Sequence, residues 1–220
     1  MPDRAPVATS LPAPGHARVK RRMTGDARRQ HLIGVALHLF ATSGFRGTTT
    51  KSIAQAAGVS EGIIFRHFPT KADLYQAILQ HKGHQSTDRS LDTLRRAIAA
   101  DDDEGLIVQL AVKTFDTYRR DLDFQRLMFL AALERHDLAV ISQRTLGLPM
   151  FGLLRDYVAK RQQAGAFRAG DPALLVFGLV ALPLYFAIVT RLMGFDVGTH
   201  ADREVAATFA RLALDGLRPH

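Results

Sequence analysis

Three helical patterns that follow one another between residues 26 and 68 constrain the fold of this 220-residue chain more than any other feature of its sequence. In the first pattern, apolar residues at spacings of three and four form one broad stripe that ends at Gly44. The second covers residues 51–57 and the third covers residues 61–68. A threonine stands before the second pattern and a serine before the third, and both residue types cap helices.

The connection between the second and third patterns has the chemistry of a tight turn between helices. Gly58 can adopt the left-handed conformation, Val59 can fill the angle between the helices, and Ser60 can accept a bond from the first amides of the third helix. A short helix, a glycine-containing turn and another short helix form a helix-turn-helix. Because a major groove about 12 Å wide admits one α-helix, we expect the third helix to read duplex DNA.

The positive charge of the chain is concentrated in its N-terminal part. Residues 1–82 hold 12 Lys and Arg and 4 Asp and Glu, a net charge of +8, whereas residues 83–220 hold 17 of each and are neutral. This asymmetry predicts that the N-terminal part binds a polyanion, either nucleic acid or an anionic membrane surface. A solvated basic tail that only aids solubility is the alternative interpretation.

Composition and motifs argue against several other classes of protein. Without cysteine, the chain has no disulfide scaffold, no thiolate zinc site and no cysteine nucleophile. It contains neither Gly-x-Ser-x-Gly nor His-Glu-x-x-His, nor a phosphate-binding loop. We interpret His81 and His84 as a solvated helix face, and the acidic residues 101–104 as a cap of the fifth helix. We therefore expect no enzymatic activity, no cofactor and no metal.

Residues 27–79 carry a longer pattern, in which many residue types stand at fixed spacing. The pattern consists of Leu32-Ile33, Ala36-Leu37-x-Leu39-Phe40, Gly44-Phe45-x-x-Thr48-Thr49, Ile53-Ala54-x-x-Ala57-Gly58-Val59-Ser60-x-Gly62 and Phe65-x-His67-Phe68-x-x-Lys71-x-x-Leu74. On these residues the chain resembles the TetR family of bacterial transcription regulators. The resemblance covers about a quarter of the chain and implies an N-terminal DNA-binding domain.

The resemblance also implies where DNA is contacted, since family members use the starts of the second and third helices and the lysine before the fourth. Carried over to this sequence, the DNA-binding residues are Thr48, Thr49, Ser60, Glu61, Gly62, Arg66, His67 and Lys71. Phe65 stands where the family usually has a tyrosine that commonly contacts phosphate, so we expect it only to pack. Ile63 and Phe68 are expected in the core of this domain.

The whole chain is predicted to be all-α, with an N-terminal three-helix helix-turn-helix domain joined to a larger helical domain. Four prolines and clustered basic residues predict a disordered basic arm over residues 1–25. Residues 26–72 are expected to form the DNA-binding domain, and residues 73–220 a ligand-binding and dimerisation domain. Basic and apolar residues in the arm stand in the reverse order of a secretory signal, so we expect a cytoplasmic protein.

The segment 173–190 is almost entirely apolar and allows two interpretations. At 1.5 Å per residue it is long enough to span most of a bilayer, which would make the chain a membrane-associated helical protein. Against this, Pro183 lies in its middle and an amphipathic helix follows it. A helix that is apolar on all sides can also be buried against its own domain and against a partner chain. We favour burial, and the resemblance implies a homodimer through the last two helices.

These expectations describe a ligand-responsive transcriptional regulator that binds palindromic operator DNA as a homodimer. The resemblance implies that this regulator is a repressor. A small apolar or aromatic effector among the fifth to eighth helices would release the DNA through the fourth helix. The candidate effector-binding residues, chosen as aromatic or flexible side chains spaced to point inward, are Phe115, Tyr118, Met128, Phe129, Phe151, Tyr157, Phe177 and Tyr185. The alternatives are a nonspecific DNA-binding protein and a membrane protein anchored by residues 173–190.

Overall fold

The computed structural model describes residues 23–86, 88–135 and 137–219, and all regular secondary structure in these residues is helical. This confirms the all-α prediction. The helices are α1 (Gly25–Gly47), α2 (Thr50–Ala57), α3 (Glu61–His67), α4 (Lys71–Ser86), α5 (Asp88–Ala99), α6 (Asp103–Arg120), α7 (Leu122–Leu133), α8 (Asp137–Ser142), α9 (Leu148–Gln163), α10 (Pro172–Ala187) and α11 (Asp202–Leu217). Two π-helical turns, Gln143–Gly147 and Ile188–Leu192, precede α9 and extend α10. The predicted basic arm lies outside the described residues, except for its last three, of which Gly25 already belongs to α1.

Glycines and capping side chains set several of the helix boundaries. Gly58 ends α2 with a φ of 65°, a conformation that costs glycine little. Gly44, with a φ of 69°, interrupts α1 without ending it, because three more residues continue the helix. Asp102 Oδ1 accepts a hydrogen bond from the amide of Gly105 at 2.8 Å, which confirms that the acidic run caps a helix. Asp171 caps α10 in the same way.

The buried apolar side chains form three clusters. The first joins α1, α2, α3 and α4, and also includes Phe124, Leu127 and Ala131 of α7. The second joins α5, α6, α9, α10 and α11, and the third lies between α6 and the ends of α10 and α11 around Phe115. Helix α7 therefore packs into the core of the N-terminal helices, although 35 residues separate it from the end of α4. The domain boundary at residue 72 stays a prediction.

Helix α10 and its π-helical extension, Pro172–Leu192, have the length and apolar character of a membrane span, with a mean hydropathy of 2.4. Only 22% of the most apolar part of this helix is buried within the chain. One face, with Val176, Leu179 and Pro183, packs into the core, which confirms burial against the chain's own domain. The opposite face is exposed, so burial on all sides is not achieved within a single chain.

Candidate nucleic-acid interface

The turn between α2 and α3 holds the two short helices in a fixed arrangement. At the start of α2, the Thr49 hydroxyl accepts a hydrogen bond from the amide of Ser52 at 3.0 Å, and the Ser52 hydroxyl accepts one from the amide of Thr49 at 3.1 Å. At its end, the amides of Gly58 and Val59 donate to carbonyls of the last turn. Because these bonds satisfy backbone groups at both ends, α2 is well defined in spite of its eight residues.

Helix α3 begins at the predicted residue but without the predicted cap. Ser60 occupies the N-cap position with an extended backbone, yet its hydroxyl makes no capping hydrogen bond, so that prediction was wrong. Glu61 instead accepts a hydrogen bond from the hydroxyl of Thr50 in α2. This contact directs the carboxylate of the first α3 residue towards α2, and the Ser60 side chain is exposed.

One face of α3 is open to solvent. Gly62, Phe65 and Arg66 are exposed, and their spacing of three and four residues places them on the same side of the helix. Phe65 is 47% exposed, so the expectation that it packs was wrong. Phe68 is buried and Ile63 is half-buried against the first cluster, as predicted. The exposed face therefore presents an apolar ring beside a guanidinium and a glycine.

The structure gives Thr48 an internal role. Its side chain is only 2% exposed, and its hydroxyl lies 2.8 Å from the carbonyl oxygen of Gly44 and 3.1 Å from that of Leu39. The hydroxyl thus binds backbone carbonyls on both sides of the segment where Gly44 interrupts α1. The prediction that this side chain contacts DNA is wrong, because the buried hydroxyl holds the segment between α1 and α2 in place.

Lys71 is also engaged inside the protein. Its Nζ donates hydrogen bonds to the carbonyl oxygens of Phe45 at 2.8 Å and Thr48 at 2.9 Å. The ammonium lies 4.2 Å from the centre of the Phe45 ring, within the range of a cation–π contact. Lys71 therefore ties the start of α4 to the segment that connects α1 with α2, and the geometry gives it a structural role in addition to the predicted phosphate contact.

His67 faces the protein more than the solvent. The residue is half-buried, and its Nε2 has no accessible surface and no hydrogen-bond partner among the described residues. Its ring lies 6.3 Å from that of Phe68. Nε2 is therefore not open to a DNA contact in this conformation, and the predicted contact of His67 with DNA stays a prediction.

The predicted DNA-binding residues therefore divide into two groups. Four of them keep exposed positions along α2 and α3, namely Thr49, Ser60, Gly62 and Arg66. The other four are half-buried or buried, namely Thr48, Glu61, His67 and Lys71. Sequence reasoning missed Phe65 as an exposed residue of this face, since a phenylalanine next to helix-turn-helix core positions is indistinguishable by type from a core residue.

The N-terminal end of α1 lies beside α3. Together they line an open cavity of about 470 Å³, to which α3 and its preceding turn contribute Val59, Ile63 and Arg66. Met23 and Arg28 line it from the other side. Neither guanidinium has a carboxylate partner among the described residues. This part of the surface is thus positively charged and continuous with the exposed face of α3.

Helix α7 makes polar contacts with the N-terminal helices as well as apolar ones. Lys82 of α4 forms an ion pair with Asp121 at 2.8 Å, immediately before α7, and both side chains are largely buried. His38 of α1 lies 2.9 Å from Asp123. The sequence contains no signal for the packing partner of α7, because the contacting residues are far apart along the chain.

The candidate effector-binding residues do not form one group. Phe115, Tyr118 and Tyr157 are buried, but they belong to two clusters. Met128 packs against the core of the N-terminal helices, and Phe151 lies 5.1 Å from Phe177, ring centre to ring centre. The exposed members are Phe129, Phe177 and Tyr185, at 38%, 64% and 68%. The effector site stays a prediction.

The acidic run ties α6 to α9. Asp103 accepts two hydrogen bonds from the guanidinium of Arg161, at 2.8 and 2.7 Å, and one from the hydroxyl of Tyr157 at 2.5 Å. Burial raises the pKa of Tyr157, and the bond to Asp103 raises it further. Lys160 donates to Asp101 at 2.6 Å and lowers the pKa of that carboxyl. Each of these carboxylates therefore has a cationic partner on α9.

The exposed face of α10 is apolar along its length. Leu174 and Phe177 are 69% and 64% exposed, and Tyr185 further along is 68% exposed. On α11, Leu212 is 59% exposed. Between the two helices lies a groove of about 240 Å³ that is lined mainly by leucine, alanine and glycine. A continuous apolar surface of this kind on a folded chain indicates an interaction site.

Comparisons with known proteins agree with this architecture. Residues 32–78 match the family model for bacterial regulatory proteins of the tetR family. The transcriptional activator FasR of Mycolicibacterium smegmatis is 32% identical over 119 residues, 54% of this chain and 52% of FasR. The transcriptional repressor NicS of Pseudomonas putida is 28% identical over 206 residues, 90% of this chain and 96% of NicS. The chain thus aligns with about half of FasR and nearly all of NicS.

Solved structures show the same fold over both halves of the chain. AibR, in complex with isovaleryl coenzyme A and operator DNA, superposes with a TM-score of 0.64 at 16% identity. The superposition covers 84% of this chain and 97% of AibR. The match of residues 32–78 shows that the N-terminal helix-turn-helix is similar to that of the TetR family of bacterial transcription regulators, and the superposition shows that the chain shares the fold of AibR.

Proposed function

We propose that this protein is a cytoplasmic transcriptional repressor that binds palindromic operator DNA as a homodimer and releases it when a small apolar or aromatic effector binds. The observation that carries the proposal is the exposed face of α3, which presents Gly62, Phe65 and Arg66 directly after the turn between α2 and α3. This face belongs to the part of the chain that holds the net charge of +8. Such a helix fits a major groove, and the charge favours the phosphates that border it.

The exposed face supports base reading as well as phosphate binding. Arg66 can form paired hydrogen bonds with guanine, and the phenyl ring of Phe65 can contact the methyl group of thymine. Gly62 leaves room for the backbone to approach a base edge. Thr49 and Ser60 lie at helix starts, where hydroxyls and free amides favour phosphate.

The homodimer is supported by the exposed apolar face of α10. Leu174, Phe177 and Tyr185 lie three or more residues apart on one side of the helix, and Leu212 of α11 borders them. A second copy of the same two helices would complete a four-helix bundle and remove these side chains from water. Dimerisation would also hold two α3 helices at the spacing of about 34–36 Å that separates successive major grooves.

Effector control requires a mechanical connection from the C-terminal helices to α3. The contacts of α7 with α1 and α4, especially the Lys82–Asp121 pair, support α7 as part of this connection beside α4. An effector that shifts α7 would move α1, and α1 shares the cavity with α3. AibR has been solved with isovaleryl coenzyme A and operator DNA together, so this fold accommodates both kinds of ligand in that protein.

Repression is proposed because the relative that aligns over nearly its whole length, NicS, is named a repressor. FasR, which aligns over about half of its length, is named an activator. A reporter gene under the chain's own upstream region distinguishes the two. Deletion of the protein should raise reporter expression if the protein is a repressor. Lowered expression would indicate an activator instead.

DNA binding is tested with a duplex from the upstream intergenic region and a random duplex of equal length. We expect the upstream duplex to bind about 10³-fold more tightly or better, as specific sites do. Arg66→Gln should reduce this preference, whereas Arg155→Gln on α9 serves as a matched control because Arg155 is exposed and far along the chain from α3. Equal affinity for both duplexes would indicate a nonspecific DNA-binding protein.

The dimer is tested by sedimentation of Leu174→Arg. Burial of the exposed 69% of Leu174 in both protomers contributes about 2–4 kcal/mol, so the dimer dissociation constant should rise about 30- to 1,000-fold. Leu133→Arg is the matched control, since Leu133 is 79% exposed but lies on α7. A monomeric wild-type chain that partitions into lipid vesicles would instead support the membrane interpretation of Pro172–Leu192.

A further inference from the structure

The C-terminal end of α7 lies against the point where α1 is interrupted. Glu134 directly follows the last residue of α7, and its carboxylate contacts Gly44 so closely that a methyl group on Gly44 would overlap Oε1 of Glu134. Glu134 is half-buried, whereas Gly44 is buried and has a φ of 69°. Glycine is therefore favoured at this position both by its backbone conformation and by the neighbouring carboxylate.

Two features at the end of α7 are unfavourable for stability. In the described part of the chain, the Glu134 side chain has neither an ion pair nor a hydrogen bond, although partial burial of an unpaired carboxylate costs free energy. Arg135, the next residue, has a φ of 51°, a left-handed conformation that residues with a side chain rarely adopt. Unpaired charge and backbone strain concentrate at functional positions, so this junction is a candidate for a functional role.

Gly44 connects this junction to the helix-turn-helix through a continuous series of hydrogen bonds. Its carbonyl oxygen accepts one from the hydroxyl of Thr48 at 2.8 Å. The carbonyl oxygen of Thr48 accepts one from Nζ of Lys71 at 2.9 Å, and that of Phe45 accepts another at 2.8 Å. Thr49, the residue after Thr48, caps α2. The position of Gly44 therefore affects the segment from which α2, and after it α3, begins.

The same carboxylate is close to the aromatic side chains of the N-terminal helices. Burial raises the pKa of Tyr75, and the charge of Glu134 raises it further. The ring centre of Tyr75 lies 5.0 Å from that of Phe40 in α1 and 5.3 Å from that of Phe45. The Phe45 ring in turn carries the cation–π contact with Lys71. Glu134 thus lies where α7, α1 and α4 meet.

We propose that Glu134 is a positioning residue for DNA binding, whose carboxylate seats the end of α7 against Gly44 and thereby sets the orientation in which the helix-turn-helix meets the duplex. The proposal rests on the proposed function, since it needs α3 at the DNA. The contact acts by shape, because a side-chain oxygen packs against the glycine. Glutamine has nearly the same shape as glutamate and should therefore preserve the contact, whereas alanine should abolish it.

The first test measures the affinity of Glu134→Ala, Glu134→Gln and the wild-type chain for the upstream duplex. Removal of an acidic group reduces repulsion of the phosphates, so on charge alone both variants should bind somewhat more tightly. We expect instead that Glu134→Ala binds about 5- to 150-fold more weakly, the usual range of coupling between distant sites, and that Glu134→Gln does not lose affinity. Glu104→Ala is the matched control and should not lose affinity, because Glu104 is exposed at the start of α6.

A second test uses the close approach of Glu134 to Gly44. Gly44→Ala alone adds both backbone strain and overlap with the carboxylate, whereas in the Glu134→Ala background only the strain is added. The fold losses of DNA affinity in the two single variants should therefore combine in the double variant to less than their product. A loss equal to the product would show that the two residues act independently and would overturn the proposal.

The orientation itself is measured with spin labels, which can be placed singly because the chain has no cysteine. Labels at Gln55→Cys on α2 and Arg155→Cys on α9, both exposed positions, report the distance between the two halves of one chain when labelled chains are diluted with unlabelled ones. Without DNA, Glu134→Ala should shift or broaden this distance at a temperature where circular dichroism shows a folded chain, and Glu134→Gln should not. A loss of stability alone would leave the distance in the folded chain unchanged.

The outcomes separate this proposal from the proposed function. Wild-type affinity in Glu134→Ala, or an unchanged distance between the labels, overturns the positioning role while leaving operator binding intact. An equal loss of affinity in Glu134→Ala and Glu134→Gln would assign the effect to charge and overturn the role of shape. Absence of any preference for the upstream duplex by the wild-type chain overturns the operator proposal itself.

Discussion

Replacement of Lys71 by methionine should unfold the N-terminal helices more readily even without DNA. The long stem of methionine resembles that of lysine, so the change removes mainly the ammonium. That group donates to the carbonyl oxygens of Phe45 and Thr48 at 2.8 and 2.9 Å. Both bonds hold the segment between α1 and α2 against the start of α4.

The magnitude follows from these contacts. A hydrogen bond to a charged group contributes about 1.5–3 kcal/mol, and the cation–π contact with Phe45 at 4.2 Å adds about 0.5–1 kcal/mol. Water replaces part of these interactions because the site is only half-buried. We therefore expect the free energy of unfolding of this region to fall by about 2–4 kcal/mol. This corresponds to a loss of about 30- to 1,000-fold in amide protection against hydrogen exchange.

The assay is hydrogen exchange of the amides of α2 and α3 in the absence of DNA. Lys51→Met is the matched control, because Lys51 is an exposed lysine of α2. The control should keep the wild-type protection. If Lys71→Met keeps it as well, while its DNA affinity falls and the salt slope becomes shallower by about 0.9, Lys71 acts only on phosphate and the structural reasoning is refuted.

Three further changes test other parts of the structure. Phe65→Ala should change the free energy of unfolding by less than about 1 kcal/mol in urea titrations, because its ring is 47% exposed, yet weaken operator binding; a large loss of stability would return Phe65 to the core. Burial raises the pKa of Tyr118 to about 12, whereas the unfolded chain releases this proton near its ordinary value of 10. The stabilisation that depends on the protonated Tyr118 should therefore be complete below pH 10 and should be lost as the pH rises towards 12. In thermal denaturation, Tyr118→Phe should show a smaller loss of stability over this range. An equal loss in the variant and the wild type would contradict the raised pKa of Tyr118. Lys160→Gln should return the pKa of Asp101 towards 3.8 in a carboxyl NMR titration, since the hydrogen bond from Lys160 lowers it. The stabilisation from this pair is present above that pH and is lost as the pH falls through the lowered pKa, so the variant should show less acid destabilisation, and an unchanged titration would exclude the contact.

Local features of the sequence were reliable guides to the helices. The left-handed Gly58, the Asp102 cap and the Asp171 cap depend on residues within a few positions of each other. Helix caps of this kind form between neighbouring residues and do not depend on how distant segments pack. The Ser60 hydroxyl makes no cap, and the amide of Ile63 donates instead to the backbone carbonyl oxygen of Ser60 at 3.0 Å.

The directions of individual side chains needed the tertiary structure. Thr48 and Lys71 carry polar groups that suit phosphate, yet in the folded chain these groups bind carbonyl oxygens near the interruption of α1. Phe65 is apolar and suits a core, yet it is exposed. In each case the residue type allows both roles, and packing between distant segments selects one of them.

By itself, the sequence determined that the chain is helical, that α2 and α3 lie close to residues 51–57 and 61–68, and that its positive charge lies in the first 82 residues. These properties depend on the spacing and the composition of residues, which are known from the sequence alone. Only the tertiary structure decided that α7 packs into the core of the N-terminal helices, that one face of α10 stays uncovered, and which groups at the helix-turn-helix face outward. Such properties depend on which segments meet in space, and residues far apart in the chain carry no local signal of their partners.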